Sequence, residues 1–228
     1  MTQRQTIAEF KAASTPITEP ISKFGGQPVW IEDPAWPISE SWDRPMQFLA
    51  QIAIPPSLST ESKMAYIFVT HQRPNERDDK NWFFDPDACF SGAGENAVII
   101  QPGGQDAVPT RTQATGPTTY LEDGSDCEFT IDLVQTTDPA FLSGDDYQKA
   151  PQTERDTYFD TVSGNKIGGV PAFFQGDDWP GEDPDNWDLL VQIDANTLPF
   201  HLNLGASPIC FVFISKDHTE GRFFCQDS

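Results

Sequence analysis

Three histidines, four cysteines and a large excess of carboxylates are the groups in this 228-residue chain that could carry chemistry. His71, His201 and His218 are dispersed and form no H-E-x-x-H or comparable metal pattern. Cys89, Cys127, Cys210 and Cys225 are widely spaced and fit no zinc-ligand spacing. Cys210 and Cys225 sit in apolar runs and read as small buried hydrophobes. Cys89, in DPDACFSG, is the candidate exposed thiol, but nothing near it in sequence serves as a base. No G-x-S-x-G elbow is present. Asp85/Asp87, Asp177/Asp178 and Asp183/Asp185 could face a hard cation, yet none completes an EF-hand loop, so solvated acidic loops are expected. The expectation is therefore no catalytic residue, no metal and no cofactor. An enzyme would need His71 or His201 to meet converging carboxylates in a pocket.

Charge narrows the partners. Fourteen basic against 35 acidic residues give a formal charge of -21. Such a field disfavours nucleic acid and anionic membranes and favours a basic protein partner. No stretch resembles a signal peptide or approaches the ~20 apolar residues of a membrane span. A cytoplasmic protein with reduced thiols is expected.

The clearest pattern is a near repetition. Residues 23–37 read KFGGQPVWIEDPAWP and residues 166–180 read KIGGVPAFFQGDDWP, identical at six of fifteen positions without a gap. Gly25-Gly26 and Gly168-Gly169 suit backbone angles closed to other residues, and Pro28 and Pro171 favour an extended exit, so each motif reads as a turn before a strand. It is not a phosphate loop, which would carry G-K-S/T and lead into a helix. Trp36-Pro37 and Trp179-Pro180 read as loop anchors against a core. Lys23 and Lys166 recur in a chain poor in cations. Either they face a shared cleft and bind an anion or a partner carboxylate, or they pair locally. Gln51 and Gln192 recur on matching strands, where they either satisfy backbone groups or line the same cleft. Trp30 and Trp42 are further contact candidates.

The elements that would position these residues are mostly short strands. A helix over 5–13 is expected as a lid. Strands are expected at 29–32, 46–52, 65–70 and 81–84, then in the same order at 172–175, 188–193, 210–215 and 222–225. Alternation puts Phe48, Ala50 and Ile52 on one face, and Leu189, Val191 and Ile193 on another. Between the two sets, 97–100 and 127–133 read as strands, and short helices are expected around 145–149 or 153–159. The resulting expectation is a mainly β (β-rich α+β) single domain over 1–228. It would be internally duplicated, with a pseudo-two-fold arrangement of antiparallel sheets and minor helices. Modules 21–135 and 161–228 would be joined by an acidic linker, 136–160.

KFGGQPVWI with Trp36-Pro37, PMQFLAQI at 45–52, KIGGVPAFF at 166–174, LLVQID at 189–194 and the FFCQ ending together resemble the YwqG-like family. The resemblance covers most of residues 20–226. It implies an intracellular, internally duplicated, β-rich protein, and the company some relatives keep suggests immunity against a toxin. The chain departs from the family pattern at NLGASP, 203–208, where a Gly-Asp turn is expected. Two functions follow: a non-catalytic interaction protein, including an immunity protein against a basic toxin, or a small-molecule or anion binding module using a cleft between the repeats.

Overall fold

A computed structural model describes residues 1–73 and 85–227. The strand expected at 81–84 lies outside the described residues. Twelve strands and two helices follow in order: β1 Thr2–Ala12, β2 Lys23–Gly25, β3 Trp36–Pro37, β4 Gln47–Ala53, β5 Met64–Val69, β6 Asn96–Gln101, β7 Thr110–Arg111 and β8 Glu128–Asp138. Then come α1 Gly144–Lys149, α2 Gln152–Val162, β9 Lys166–Gly168, β10 Trp187–Asp194, β11 Ile209–Ser215 and β12 Gly221–Gln226. The fold is thus β-rich, with two antiparallel sheets and minor helices.

Ten strands form one sheet in the order β12-β11-β10-β9-β1-β8-β2-β4-β5-β6. The two long strands, β1 and β8, pair at its centre. A first wing, β2-β4-β5-β6, attaches to β8, and a second, β9-β10-β11-β12, attaches to β1. Each long strand therefore precedes one wing in the chain and pairs with the other. The small sheet, β3 with β7, lies over the first wing.

The sheet bends until its outermost strands meet. Gly221 of β12 lies so close to Val98 of β6 that a Cβ would not fit, and Gln105 N donates to Thr219 O at 2.7 Å. Both wings fill one core, including Phe24, Leu49, Ile52, Ile67 and Val98 from one side and Ile167, Leu190, Ile193, Val212 and Phe223 from the other. Each wing also buries its outer face. Trp36, Phe48, Tyr66 and Phe68 cluster on the first, and Leu189, Phe211, Phe213 and Phe224 on the second. Burial on both faces explains why β5 and β11 read as continuous apolar runs.

Several expectations are corrected. Residues 5–13 are strand, not a lid helix: β1 finds hydrogen-bonding partners on both sides, and that outweighs local preference. Residues 29–32 and 172–175 are not strands. The strands are the Lys-x-Gly segments themselves, and the glycines end them. Register irregularities between Phe48 and Ala50 and between Leu189 and Val191 turn Phe48 and Leu189 to the outer faces, away from Ala50, Ile52, Val191 and Ile193. The strand beside β5, as β12 lies beside β11, is β6 at 96–101. Both expected helices form, as α1 and α2.

Candidate functional site

Lys23 and Lys166 are fully buried and hydrogen-bonded within their own wings. Lys23 Nζ donates to Gln27 O at 2.7 Å, to Ile17 O at 3.4 Å and to the Glu128 carboxylate. Lys166 Nζ donates to Val170 O, to Val162 O at 2.6 Å and to Asp138 Oδ2 at 2.8 Å. Each lysine thus holds the carbonyl four residues ahead and a carboxylate of β8. The two carboxylates differ in origin. Glu128 lies opposite Gly25 in the β2–β8 register. Its counterpart opposite Gly168 is Arg4 of β1, a cation that cannot pair with lysine. Asp138, at the far end of β8, serves both: Oδ1 accepts from Arg4 at 2.7 Å and Oδ2 from Lys166 and from Val170 N. Burial lowers the Lys166 pKa to about 8 against the pull of Asp138, and lowers that of Lys23 against the pull of Glu128.

The glycines make these pairings possible. Gly25, Gly26, Gly168 and Gly169 all have φ between 65° and 86°. A Cβ on Gly26 would overlap the Glu128 carboxylate, and one on Gly169 would overlap Asp138 Oδ2. Gln51 and Gln192 complete each wing's frame. Gln51 accepts from Val29 N and donates to Ile21 O, both at 2.8 Å. Gln192 accepts from Ala172 N at 2.9 Å and donates to Gly164 O at 2.9 Å and Val162 O at 3.2 Å. The expected shared cleft is not present. β1 and β8 separate β2 from β9, roughly 14 Å of sheet, and all four side chains are spent on internal bonds.

The aromatic candidates divide differently. Trp36 is buried, its Nε1 donating to Met46 O at 2.9 Å. Trp30 packs on Tyr66 at 4.5 Å between centroids and donates to Ala114 O at 3.1 Å. Trp42 donates to Asp85 Oδ2 at 2.8 Å, under the Arg44 guanidinium. Pro28 and Pro171 are buried behind the glycines, and Pro37 lies in β3. Trp179 packs edge-on against Phe141 and Phe173 and against Phe213, and is half-buried, as is Pro180.

That difference between Trp36 and Trp179 opens a groove. Over the first wing, the 108–116 segment closes the tryptophan off: Val108 joins its cluster and Gly116 presses on the Trp36 ring. Trp179 is only half-buried. A cavity of about 720 Å³ lies beside it, walled by Phe141, Trp187, Asp177, Asp178, Glu182 and Asp185 with Lys216 at the rim. Asp177 accepts from Gly144 N, and Lys216 pairs with Asp188 at 2.6 Å. Partial burial raises the Asp178 pKa. Indole faces among unneutralised carboxylates suit a guanidinium or ammonium group. The sequence reading named Trp179 only as an anchor and passed over Trp187, Glu182 and Asp185 as a contact set.

The histidines do not form an acid–base site. His71 and His201 have ring centroids 6.0 Å apart, and Tyr120 stacks on His201 at 5.3 Å. Neither His71 nitrogen has a hydrogen-bond partner, and Gln47 Nε2, Thr70 Oγ1 and Thr118 Oγ1 are also buried and unpartnered. Burial, helped by His201 and Arg73, lowers the His71 pKa to about 3 and keeps it neutral. The nearby Asp126 is paired with Arg73. Among the described residues no group of three His, Cys, Asp or Glu side chains is placed to hold a metal. Asp85 and Asp183 instead cap short 3-10 turns by accepting from Asp87 N and Asp185 N. No helix among the described residues is long and apolar enough to cross a membrane.

No curated protein matches the chain. The model of the family described as "Domain of unknown function (DUF1963)" matches residues 22–226. That span takes in the Lys-Gly-Gly frames of both wings and the acidic groove, and the chain belongs to this family, the one the YwqG-like resemblance indicated.

Proposed function

We propose that this is a non-catalytic, cytoplasmic interaction protein that captures a basic protein segment in the groove beside Trp179 and Trp187. An immunity protein against a basic toxin is the specific form of this reading. The observation that carries it is the pairing of an open aromatic wall with Asp178, Glu182 and Asp185 in a chain of net charge -21. A lysine or arginine entering there gains cation–π and charge-assisted contacts together. The alternative anion-binding reading loses support, because Lys23, Lys166, Gln51 and Gln192 are consumed internally.

The groove also fits the proposed history of the chain. We infer an internal duplication in a single domain, the units being modules 21–135 and 161–228 joined by linker 136–160, each preceded by a long strand. The lysine contacts to the carbonyl four residues ahead in both units, and the glutamine contacts across 22 and 20 residues, support it. On this reading each unit carries its own outer aromatic face, around Trp36 in the first and beside Trp179 in the second.

The test uses a short oligo-arginine peptide and the intrinsic tryptophan fluorescence of the full chain. Binding should weaken with salt, and E182Q/D185N and W187A should each lose roughly tenfold in affinity. E122Q/D123N removes the same charge from an exposed turn outside the groove lining and should bind as the parent does. Equal losses in E182Q/D185N and E122Q/D123N would reduce the effect to bulk charge and sink the groove reading.

A further inference from the structure

Three of the four cysteines, far apart in sequence, meet in the fold. Cys210 of β11 and Cys225 of β12 are directly opposite in register, with sulfurs 2.7 Å apart. Residues opposite each other on antiparallel strands have Cα atoms about 4.5–5.5 Å apart, within the range a disulfide spans. Cys89 ends a 3-10 turn, Pro86–Cys89, that packs on β12; its thiol donates to Leu204 O at 3.1 Å, and Cys89 and Cys225 both pack against the core cluster that holds Cys210. The turn is fixed: Asp85 caps it, and the Asn96 side chain donates to Ala88 O and Phe90 O at 3.0 and 2.9 Å. Cys127 stands apart, beside Thr119.

We propose that Cys89, Cys225 and Cys210 form a peroxide-reactive thiol relay that ends in a cross-strand Cys210–Cys225 disulfide. Cys89 is the entry point because it is half-buried on a turn whose Pro86, Asp87 and Phe90 are exposed, whereas Cys210 is fully buried and Cys225, though half-buried, is held 2.7 Å from Cys210. The environments support the same order. The Cys225 thiol lowers the Cys89 pKa, while burial raises that of Cys225. The Cys89 thiolate attacks one oxygen of hydrogen peroxide, forming a sulfenic acid and releasing hydroxide. Cys225 sulfur then attacks Cys89 sulfur. The sulfenic hydroxyl leaves and becomes water with the Cys225 proton, and a Cys89–Cys225 disulfide forms. Cys210 attacks the Cys225 sulfur, which expels Cys89 as thiolate and creates the Cys210–Cys225 bond. The Cys210 proton neutralises the first hydroxide. Two thiols are oxidised, one peroxide is reduced to two waters, and Cys89 is regenerated.

The experiment treats the reduced full chain with hydrogen peroxide and maps the linked peptides by mass spectrometry. One equivalent should remove two of the four titratable thiols, lower the mass by two hydrogens and link Cys210 to Cys225 without dimer formation. C89S keeps a donor for Leu204 O and should slow linkage roughly tenfold or more. C127S should oxidise at the parent rate. C225S should trap Cys89 as a sulfenic acid that dimedone labels. Far-UV circular dichroism of each variant separates misfolding from chemistry. Linkage in folded C89S at the parent rate would overturn the proposal. So would Cys89 running to the sulfinic acid while Cys210 and Cys225 remain free, or the absence of a dimedone adduct in folded C225S.

Discussion

Substituting Gly169 by alanine isolates the worth of the buried Lys166–Asp138–Arg4 arrangement. Two glycines near each other in sequence have almost the same backbone, Gly164 at φ 83° and Gly169 at φ 86°. They differ in surroundings: a Cβ on Gly164 meets nothing within 4 Å, whereas one on Gly169 overlaps Asp138 Oδ2. G164A therefore incurs only left-handed strain, roughly 1–2 kcal/mol, offset in part by a less flexible unfolded chain. G169A incurs the same strain and also displaces a carboxylate that holds Lys166, Arg4 and Val170 N. Parting a buried ion pair while its cation stays buried costs about 3–5 kcal/mol. G169A should thus be less stable than G164A by about that amount, a large share of the ~5–15 kcal/mol typical of a whole domain. In a chain of this size the gap is a melting temperature lower by roughly 10 °C or more. Urea titrations of both variants against the parent provide the measurement. Losses within about 1 kcal/mol of each other would show that Asp138 moves aside freely, and the argument for glycine at 169 would fail.

Acid should reveal His71. Its pKa is about 3 when folded and about 6.5 when unfolded, so between these values the unfolded chain binds the extra proton. Stability contributed at neutral pH is then lost as pH falls from about 6.5 to 3, by up to about 5 kcal/mol. H71F should remove that component, and parent and H71F unfolding curves that shift in parallel with pH would contradict it. Q192A should lower stability by about 2–4 kcal/mol, since it leaves Ala172 N, Gly164 O and Val162 O without their side-chain partner. Q192E keeps the shape but sets a buried carboxylate against Val162 O and Gly164 O, and should be at least as destabilised as Q192A in thermal unfolding at neutral pH.

The parts legible in the sequence were those set by local pattern. Strands β4, β5, β10 and β11 announced themselves because they are buried on both faces and read as apolar runs. The spacing of Lys23, Gly25-Gly26 and Gln51 against Lys166, Gly168-Gly169 and Gln192 was visible as well. What those residues do was not, because Glu128 lies 105 residues from Lys23, Asp138 lies 28 from Lys166, and Arg4 lies 134 from Asp138. β1 was misread for a related reason: a polar segment with few apolar residues becomes a central strand only when both neighbours are in place. The register irregularities in β4 and β10 defeated simple alternation, which assumes an unbroken pleat. The thiol cluster joins β11, β12 and a distant turn, and no spacing rule links Cys89 to Cys225. The groove was invisible because Phe141 and Lys216 join Trp179, Trp187 and their carboxylates only in the fold.

The exchange of long strands between the wings bears on the order of assembly. β1 is synthesised before every other element, yet its partners are residues 129–138 of β8 and 166–168 of β9. The first wing likewise lacks its inner neighbour until β8 emerges. Neither half can finish during translation of its own residues. The nascent chain must keep an unpaired polar strand in reserve for most of its synthesis, and closing such distant pairs slows folding. The low apolar content of β1, which hid it from a reading of the sequence, keeps that waiting segment from adhering to itself or to other chains.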